Sequence, residues 1–381
     1  MWVLGLMSGT SADGVDAVLA RFQGSPDRPR WRLAHAASVP YPPELRQWIV
    51  GSGQGQASTA AAVVDQVEAL TEIQAQAAQA CDPRGLAELV GCHGQTLWHR
   101  PPEAGRRGAS WQALMAPLLA ERLQRPVIFD FRAADLALGG QGAPLVPATD
   151  AALLGGIGGW RAVLNLGGIA NLTLIPPLQG PERHQPVRGW DCGPANTLID
   201  LAVHHFSEGR LLVDQDGRWA RDGHIAEDVI ATWLREPYFL QPPPKSTGRE
   251  LFGAADLARR LAEMRSWIPG ATPADALATL TAFSAAAVAQ DLRRGTPPLE
   301  VLVAGGGTRN RCLLEQLRRR CRGTVVRPLS ELGIGDTERE ALAFALLAWW
   351  HAGGHPGSLP SVTGARREAV LGVRVDPPGR A

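Results

Sequence analysis

Four stretches of this chain hold residue types at spacings that can do chemistry. The first is the loop in "VLGLMSGTSADGVDAVLARF", where Ser8, Gly9, Thr10 and Ser11 offer amides and hydroxyls without bulk. It leads through Ala12, Asp13, Gly14 and Val15 to Asp16. Between the strand-like runs Val3–Leu6 and Val15–Phe22 the loop Met7–Gly14 has eight residues, whereas a hairpin needs about two to five. Such a loop can hold an anion, and a plain turn is the alternative. It is not a Walker loop, because no GxxxxGK[ST] occurs and the loop runs into a strand rather than a helix. The second stretch, "RGWDCGPANTLIDLAVHHF", sets Asp191 after a short strand and before Gly193-Pro194, with Pro as the start signal of a helix over Ala195–His205. That reading puts a carboxylate at a strand-to-helix junction. A capping Asp would stand directly before the helix, and a Cys-Gly pair separates Asp191 from Pro194, so a site is favoured over a cap.

The third stretch, "GCHGQTLWHRP", places His93, Gln95, Thr96 and His99 at a strand end. No third metal ligand has recognisable spacing, which favours polar recognition of a hydroxylated or amide ligand over a metal site. Nearby, "FDFRAADLALGGQGAP" adds Asp130, Arg132 and Asp135, of which the first two read equally well as ordinary ion-pair partners. In the fourth, "EVLVAGGGTRNRCLLEQL", a buried strand is followed by Gly305, Gly306 and Gly307 and then a helix. This arrangement lets a ligand reach backbone amides at a strand's carboxyl end, and a simple turn would need only one glycine.

The elements that carry these residues alternate between helix and strand patterns, which predicts an α/β protein with largely parallel sheets. A helix is expected over Ser58–Ala80 with a Ser cap, a strand ending at "LVGCHG", a helix over Met115–Gln124 and a strand at "PVIFDF". The Gly-rich segment Ala133–Pro147 reads as a crossing between domains. Beyond it "WRAVLNLGGIANLTLIP" repeats the opening pattern, with Gly167-Gly168 in the place of Gly9-Thr10. The repeat suggests an internal duplication in which each domain presents a hairpin loop toward a shared cleft. The helix Thr337–His351 is apolar nearly all round, hence buried, and returns the chain to the first domain. The expected division is residues 1–134 plus about 337–381 for one domain and 135–336 for the other.

With 38 basic and 37 acidic residues the formal charge is +1, so nucleic acid and anionic membranes are disfavoured as partners. Five cysteines without a CxxC or zinc-type spacing read as reduced thiols. No stretch approaches the roughly 18 uninterrupted apolar residues of a membrane span, and no basic leader precedes the first strand, so the expectation is a cytoplasmic protein. Every basic residue is arginine except Lys245, in "QPPPKSTGRE". Its retention fits a need for a compact point charge, or chance. No GxSxG, HExxH or CxxC signature is present. Two hairpin loops able to cradle an anion, a third glycine loop and a cleft carboxylate together suit phosphoryl transfer from a nucleotide.

The segments "GLMSGTSADGVDAVL", "HGQTLWH", "DFRAADLALGGQGAPLVP", "NLGGIANLT", "WDCGPANTLID", "PKSTGRE", "VAGGGTRN", "EREALAFALLA" and "PSVTGA" resemble, in order along the chain, the anhydro-N-acetylmuramic acid kinase family. The resemblance implies a two-domain sugar kinase/actin-like (ribonuclease H-like) fold with ATP and magnesium in the interdomain cleft. It implies an enzyme that opens the 1,6-anhydro ring of anhydro-N-acetylmuramic acid with water and phosphorylates O6 in peptidoglycan recycling. Gly9, Thr10, Ser11, Ala12, Asp13, Gly14, Val15 and Asp16 would form the first phosphate loop, with Asp13 and Asp16 toward the metal. Gly167, Gly168 and Asn171 would form the second, and Gly305, Gly306, Gly307 and Asn310 the adenosine side. Asp191 would be the general base, and His93, Gln95, Arg132 and Glu340 sugar-site residues. The family often has Thr at Cys192 and Leu or Met at Ala12. An actin-like nucleotide switch and a nucleotide-independent glycoside hydrolase are the alternatives, and a homodimer is left open.

Overall fold

A computed structural model describes residues 1–379 apart from Thr10, Pro244, Arg249 and Asp336. The chain divides into two compact units, Met1–Leu154 with Thr337–Ala381, and Gly155–Asp336.

In the first unit β1 (Trp2–Ser8), β2 (Gly14–Ser25) and β3 (Arg28–Pro40) form an antiparallel meander. The strands β4 (Leu89–Arg100) and β6 (Val127–Phe129) add to it in parallel, in the order β6-β4-β1-β2-β3, and β5 (Ala109–Ala113) pairs with the far end of β4. A short C-terminal strand, Val373–Val375, lies antiparallel to β6. The sheet is covered by Ala60–Cys81, whose first turn is capped by Thr59 Oγ1 accepting from the Ala62 N–H at 3.2 Å. It is also covered by the helix Glu338–Ala352, buried over most of its length. That helix lies close on the sheet because Gly5 and Gly91 carry no Cβ, which would otherwise strike the helix backbone at Ala341 and Phe344.

The second unit repeats the plan. An antiparallel meander of β7 (Arg161–Leu166), β8 (Ile169–Ile175) and β9 (Arg188–Pro194) is extended in parallel by β10 (Glu300–Ala304) and β11 (Val325–Pro328), in the order β11-β10-β7-β8-β9. The helix Pro273–Leu292 is buried along nearly its whole length, opened by a Thr272–Asp275 capping box.

Several expectations need correction. The chain leaves the first unit after Leu154, later than the Ala133–Pro147 segment expected to cross. That segment is tied down where it looked like a linker: the Asp135 carboxylate accepts from the Gly142 N–H at 2.8 Å and from Thr363 Oγ1 at 2.6 Å, and Asp150 is paired with Arg339. The strand β4 does not end at "LVGCHG" but runs on to Arg100, because β5 supplies a partner for its polar half. Asp191 is not at a strand-to-helix junction. It sits inside β9 opposite Asn171, and the next helix starts at Thr197 rather than Ala195. The strand tolerates Pro194 because β9 is the edge of its sheet, where a missing N–H breaks no ladder bond.

Candidate active site

In the first unit the loop between β1 and β2 is fixed from below by polar side chains. Ser8 Oγ donates to Gln95 Oε1 and receives the Tyr41 hydroxyl at 2.9 Å, and Gln95 Nε2 donates to the Gly9 carbonyl at 3.3 Å. Ala12, at φ 54°, and Val15 turn fully buried side chains into the core, so each can offer a ligand only its backbone. Ser11 is exposed, and Thr10 lies outside the described residues. The glycines differ in why they are needed. At Gly14 a Cβ would strike the backbone of Val39 and Pro40, a demand of the fold. At Gly9 a Cβ would meet nothing closer than Ser11 Oγ at 3.8 Å, so the folded chain itself has room for a side chain there. A small residue at such a point leaves the backbone open to an approaching ligand.

Asp16 accepts from Ser38 Oγ and has no ion-pair partner among the described residues. Burial pushes its carboxyl above the ordinary range, the Ser38 bond pulls it back, and Asp13 nearby raises it further. Asp13 is exposed and pairs with Arg46 at 3.1 Å. No group of three or more metal-ligating side chains occurs among the described residues. Two adjacent carboxylates, one short of positive charge, still fit Mg²⁺, which is commonly held by one or two carboxylates with the remaining positions filled by water and substrate phosphates.

Of the expected sugar-site residues of this unit, His93 and Arg132 bond each other, and Glu340 lies near enough to Arg132 to feel its charge. His93 is buried, Nδ1 donating to the Gly94 carbonyl at 2.9 Å, which leaves Nε2 to accept from Arg132 Nε at 3.2 Å and Nη2 at 2.9 Å. Burial and then the Arg132 charge push the imidazole down to about 3, so it is neutral. Arg132 also donates to the Gly142 carbonyl at 2.7 Å. Burial lowers its guanidinium to about 10 against the pull of Glu340 and Asp135, and burial raises Glu340 against Arg339 and Arg132. His93 and Gln95 thus spend their polar atoms holding Arg132 and Gly9, which leaves Arg132 and Glu340 as the charged groups of the cluster. His99 contacts Ser110 Oγ at 3.0 Å on the β4–β5 hairpin, and burial followed by the Arg132 charge lowers its imidazole.

In the second unit Asp191 has a complete cradle. Its Oδ1 accepts from Asn171 Nδ2 at 2.8 Å and its Oδ2 from the Thr247 N–H at 3.0 Å. Its own N–H donates to the Lys245 carbonyl at 2.9 Å, and the Tyr238 hydroxyl donates to its carbonyl at 2.7 Å. Desolvation raises the carboxyl, and Asn171 and Thr247 partly offset it. A carboxylate of raised basicity is suited to take a proton.

The segment 245–248 that closes over Asp191 is anchored by Lys245, buried against Asp291 at 3.0 Å and lying over the Tyr238 ring at 4.8 Å. This explains the chain's sole lysine: a compact ammonium buried beside a carboxylate that Trp190 Nε1 and Arg294 also contact. Sequence reasoning could not assign it, since Asp291 lies 46 residues away.

The Gly167-Gly168 turn meets the start of the Thr197–Phe206 helix, the Gly168 carbonyl accepting from the N–H groups of Ala195 at 2.8 Å and Thr197 at 3.1 Å. Gly305, at φ 86°, and Gly307 pack against Leu166, where a Cβ would collide, whereas Gly306 has nothing within 4 Å of its Cβ direction. Gly167 is similarly open, with 3.6 Å to Asn165. Asn310 caps the Arg311–Arg320 helix, its Oδ1 accepting from the Leu313 N–H at 3.0 Å, so its side chain is committed to the fold.

Two sheets whose core strands run in the same order, each opening with a hairpin whose turn carries a sterically free glycine, define a duplicated two-domain α/β protein. The model of the family "Anhydro-N-acetylmuramic acid kinase" matches residues 1–377. The chain is 62% identical over 382 residues to the anhydro-N-acetylmuramic acid kinase of Prochlorococcus marinus (strain MIT 9303), covering 99% of this chain and 100% of that one. It is equally similar, with the same coverage, to that of Parasynechococcus marenigrum (strain WH8102). Among solved structures, a ROK family glucokinase from Streptomyces griseus in complex with glucose and AMPPNP aligns with 92% of this chain and 99% of its own at 15% identity and a TM-score of 0.38. The chain belongs to the anhydro-N-acetylmuramic acid kinase family.

Proposed function

We propose that this protein is an ATP-dependent carbohydrate kinase that opens the 1,6-anhydro ring of anhydro-N-acetylmuramic acid with water and phosphorylates O6. The products are N-acetylmuramic acid 6-phosphate and ADP, a step of peptidoglycan recycling. Family membership over nearly the whole chain supplies the substrate, and the observation that carries the chemistry is Asp191, a desolvated carboxylate cradled by Asn171 and Thr247. It takes the proton of the water that attacks C1. The C1–O6 bond breaks, O6 takes the γ-phosphoryl group, and the bond to ADP breaks. Because the phosphorus receives the departing oxygen's electron pair, no second carboxylic acid has to protonate the leaving group as a glycosidase requires. Water attacks the face opposite the bridge, so the first product is the α-anomer.

The sterically open glycines Gly9, Gly167 and Gly306 support backbone contact with the phosphates. Asp13 and Asp16 would hold Mg²⁺, which neutralises phosphate charge when bound. Arg132, oriented by His93 and the Gly142 carbonyl, and Glu340 are suited to hydroxyl and carboxylate recognition on the sugar. No helix of the described residues is long and apolar enough to cross a membrane, which supports a cytoplasmic setting. The test is a coupled ADP assay with and without the anhydro-sugar, with product anomers followed by rapid NMR. ADP release independent of sugar would support a nucleotide switch instead, and ring opening without ATP a hydrolase.

A further inference from the structure

The segment "PKSTGRE" was conspicuous in the sequence for its lysine, yet the reaction as outlined uses only one backbone N–H from it, that of Thr247. The Thr247 side chain has no assigned work. Its hydroxyl oxygen is buried and has no hydrogen-bond partner among the described residues. The groups around it are paired: Asn171 and the Thr247 N–H on the two carboxylate oxygens, Lys245 on the Asp191 N–H, Tyr238 on the Asp191 carbonyl. A buried polar atom left unpaired costs about 1–3 kcal/mol, and valine would fill the same space without that cost. The hydroxyls of Thr173, Thr197 and Thr281 are also buried and unpaired, but Thr247 is the one of these whose own N–H bonds the Asp191 carboxylate, so a partner for its hydroxyl would bind beside that carboxylate.

We propose that Thr247 is a further catalytic residue whose hydroxyl binds the water that Asp191 deprotonates. The inference rests on the kinase reading above. A water between two acceptors has one hydrogen directed to the Asp191 carboxylate and the other to Thr247 Oγ1, which leaves a lone pair aimed at C1. In the step itself the proton moves from water to Asp191, the oxygen bonds C1, and the C1–O6 pair passes to the γ-phosphorus. Thr247 changes neither charge nor protonation. Its contribution is orientation, the kind of positioning that costs rate steeply when lost. The loop is rigid enough to supply it, because the Lys245 carbonyl bonds the Asp191 N–H while the Lys245 ammonium is held by Asp291.

The experiment compares wild type with Thr247→Val, Thr247→Ser, Asp191→Asn and the Asp191→Asn/Thr247→Val double variant, measuring sugar-dependent ADP release and thermal melting. Thr247→Val is expected to lower kcat about 10–100-fold with little change in sugar KM, as for loss of an interaction made on the way to the transition state. Its melting temperature should be unchanged or higher, since an unpaired buried hydroxyl is removed. Thr247→Ser should recover most of the rate, and the double variant should be no slower than Asp191→Asn alone, because the two residues serve one water. An active wild type with Thr247→Val at a similar rate, a Ser variant as slow as Val, or an effect confined to KM each overturns the assignment while leaving the kinase reading intact. A wild type inert toward the sugar overturns both.

Discussion

Replacing Asp191 by Asn should separate activity from stability in opposite directions. The side chain keeps its shape, and its hydrogen bonds can be rebuilt. The Thr247 N–H, now 3.0 Å from Oδ2, still finds a carbonyl oxygen if the new amide turns that way, and Asn171, now donating at 2.8 Å, rotates its own amide to accept instead. What is lost is the base. General-base catalysis contributes about 10²–10⁴-fold, or about 2.7–5.5 kcal/mol of barrier. Here it is expected at the upper end, because ring opening and phosphoryl transfer depend on the same proton transfer. Stability should move the other way. In the native state burial raises the Asp191 carboxyl above its unfolded value, so the ionised group costs stability. The native protein binds the extra proton in the window between the unfolded and folded values, and stability falls as pH rises through that window and stays lower above it. Asn cannot ionise, so the variant should melt above wild type at neutral pH, and the difference should vanish as pH falls below the unfolded carboxylate range. The wild-type rate, needing the ionised form, should decline at acid pH sooner than an unperturbed carboxylate would allow. Coupled ADP release and thermal melting across a pH series measure all of this. A variant within tenfold of wild type in rate, or one that melts lower at pH 8 but not at pH 4, would refute the reasoning.

Lys245→Met leaves the buried Asp291 with Arg294 at 3.2 Å, Trp190 Nε1 at 3.1 Å and the Cys192 thiol as partners among the described residues. Against the about 3–5 kcal/mol of a broken buried pair, urea unfolding should show a loss near the lower figure. Gly305→Ala forces a Cβ to 2.7 Å from Asn165 Oδ1 at φ 86° and should destabilise the protein by about 1–3 kcal/mol or more. Gly306→Ala meets nothing in the folded chain and should leave the melting temperature unchanged while raising the KM for ATP; unchanged nucleotide kinetics would remove Gly306 from the phosphate-side loop. Asp16→Asn should raise the magnesium concentration giving half-maximal rate and leave sugar KM near wild type, and identical magnesium titrations would deny Asp16 a metal role.

The alternation of strand and helix, the repeated hairpin and the three glycine loops were legible because each depends on local pattern. The positions misjudged in the sequence depend on partners far along the chain. "WDCGP" reads as a strand end and helix start because Pro normally stops a ladder. Nothing local reveals that β9 is an edge strand on which Pro194 opposite Ile169 breaks no bond. "GCHGQTLWHR" reads as a strand end because its second half turns polar, and the strand that pairs with that half, Ala109–Ala113, lies beyond an irregular loop. The segment Ala133–Pro147 has a linker's composition, but its Asp135 accepts from Thr363 Oγ1 across 228 residues.

The same distinction divides the glycines, and with them the functional evidence. A glycine required by φ or by a neighbouring backbone, such as Gly14, Gly305 or Gly307, says only that the chain folds here. A glycine with space around it and ordinary φ, as at Gly9, Gly167 and Gly306, is not required by the fold, and an added Cβ there would occupy the surface a ligand needs. Thr247 is the polar counterpart: a hydroxyl buried without a partner among the described residues is a cost to the folded chain that a bound molecule would offset. Both kinds of residue are unfavourable or indifferent to folding. Open glycines such as Gly158 and unpaired hydroxyls such as Thr281 also occur elsewhere, so it is their place that distinguishes these four: Gly9 and Gly167 on the hairpin turns, Gly306 on the third glycine loop and Thr247 beside Asp191, where the proposed reaction would hold phosphate, nucleotide and attacking water. His93 and Gln95 are the opposite case, since the fold itself employs their polar atoms to hold Arg132 and Gly9.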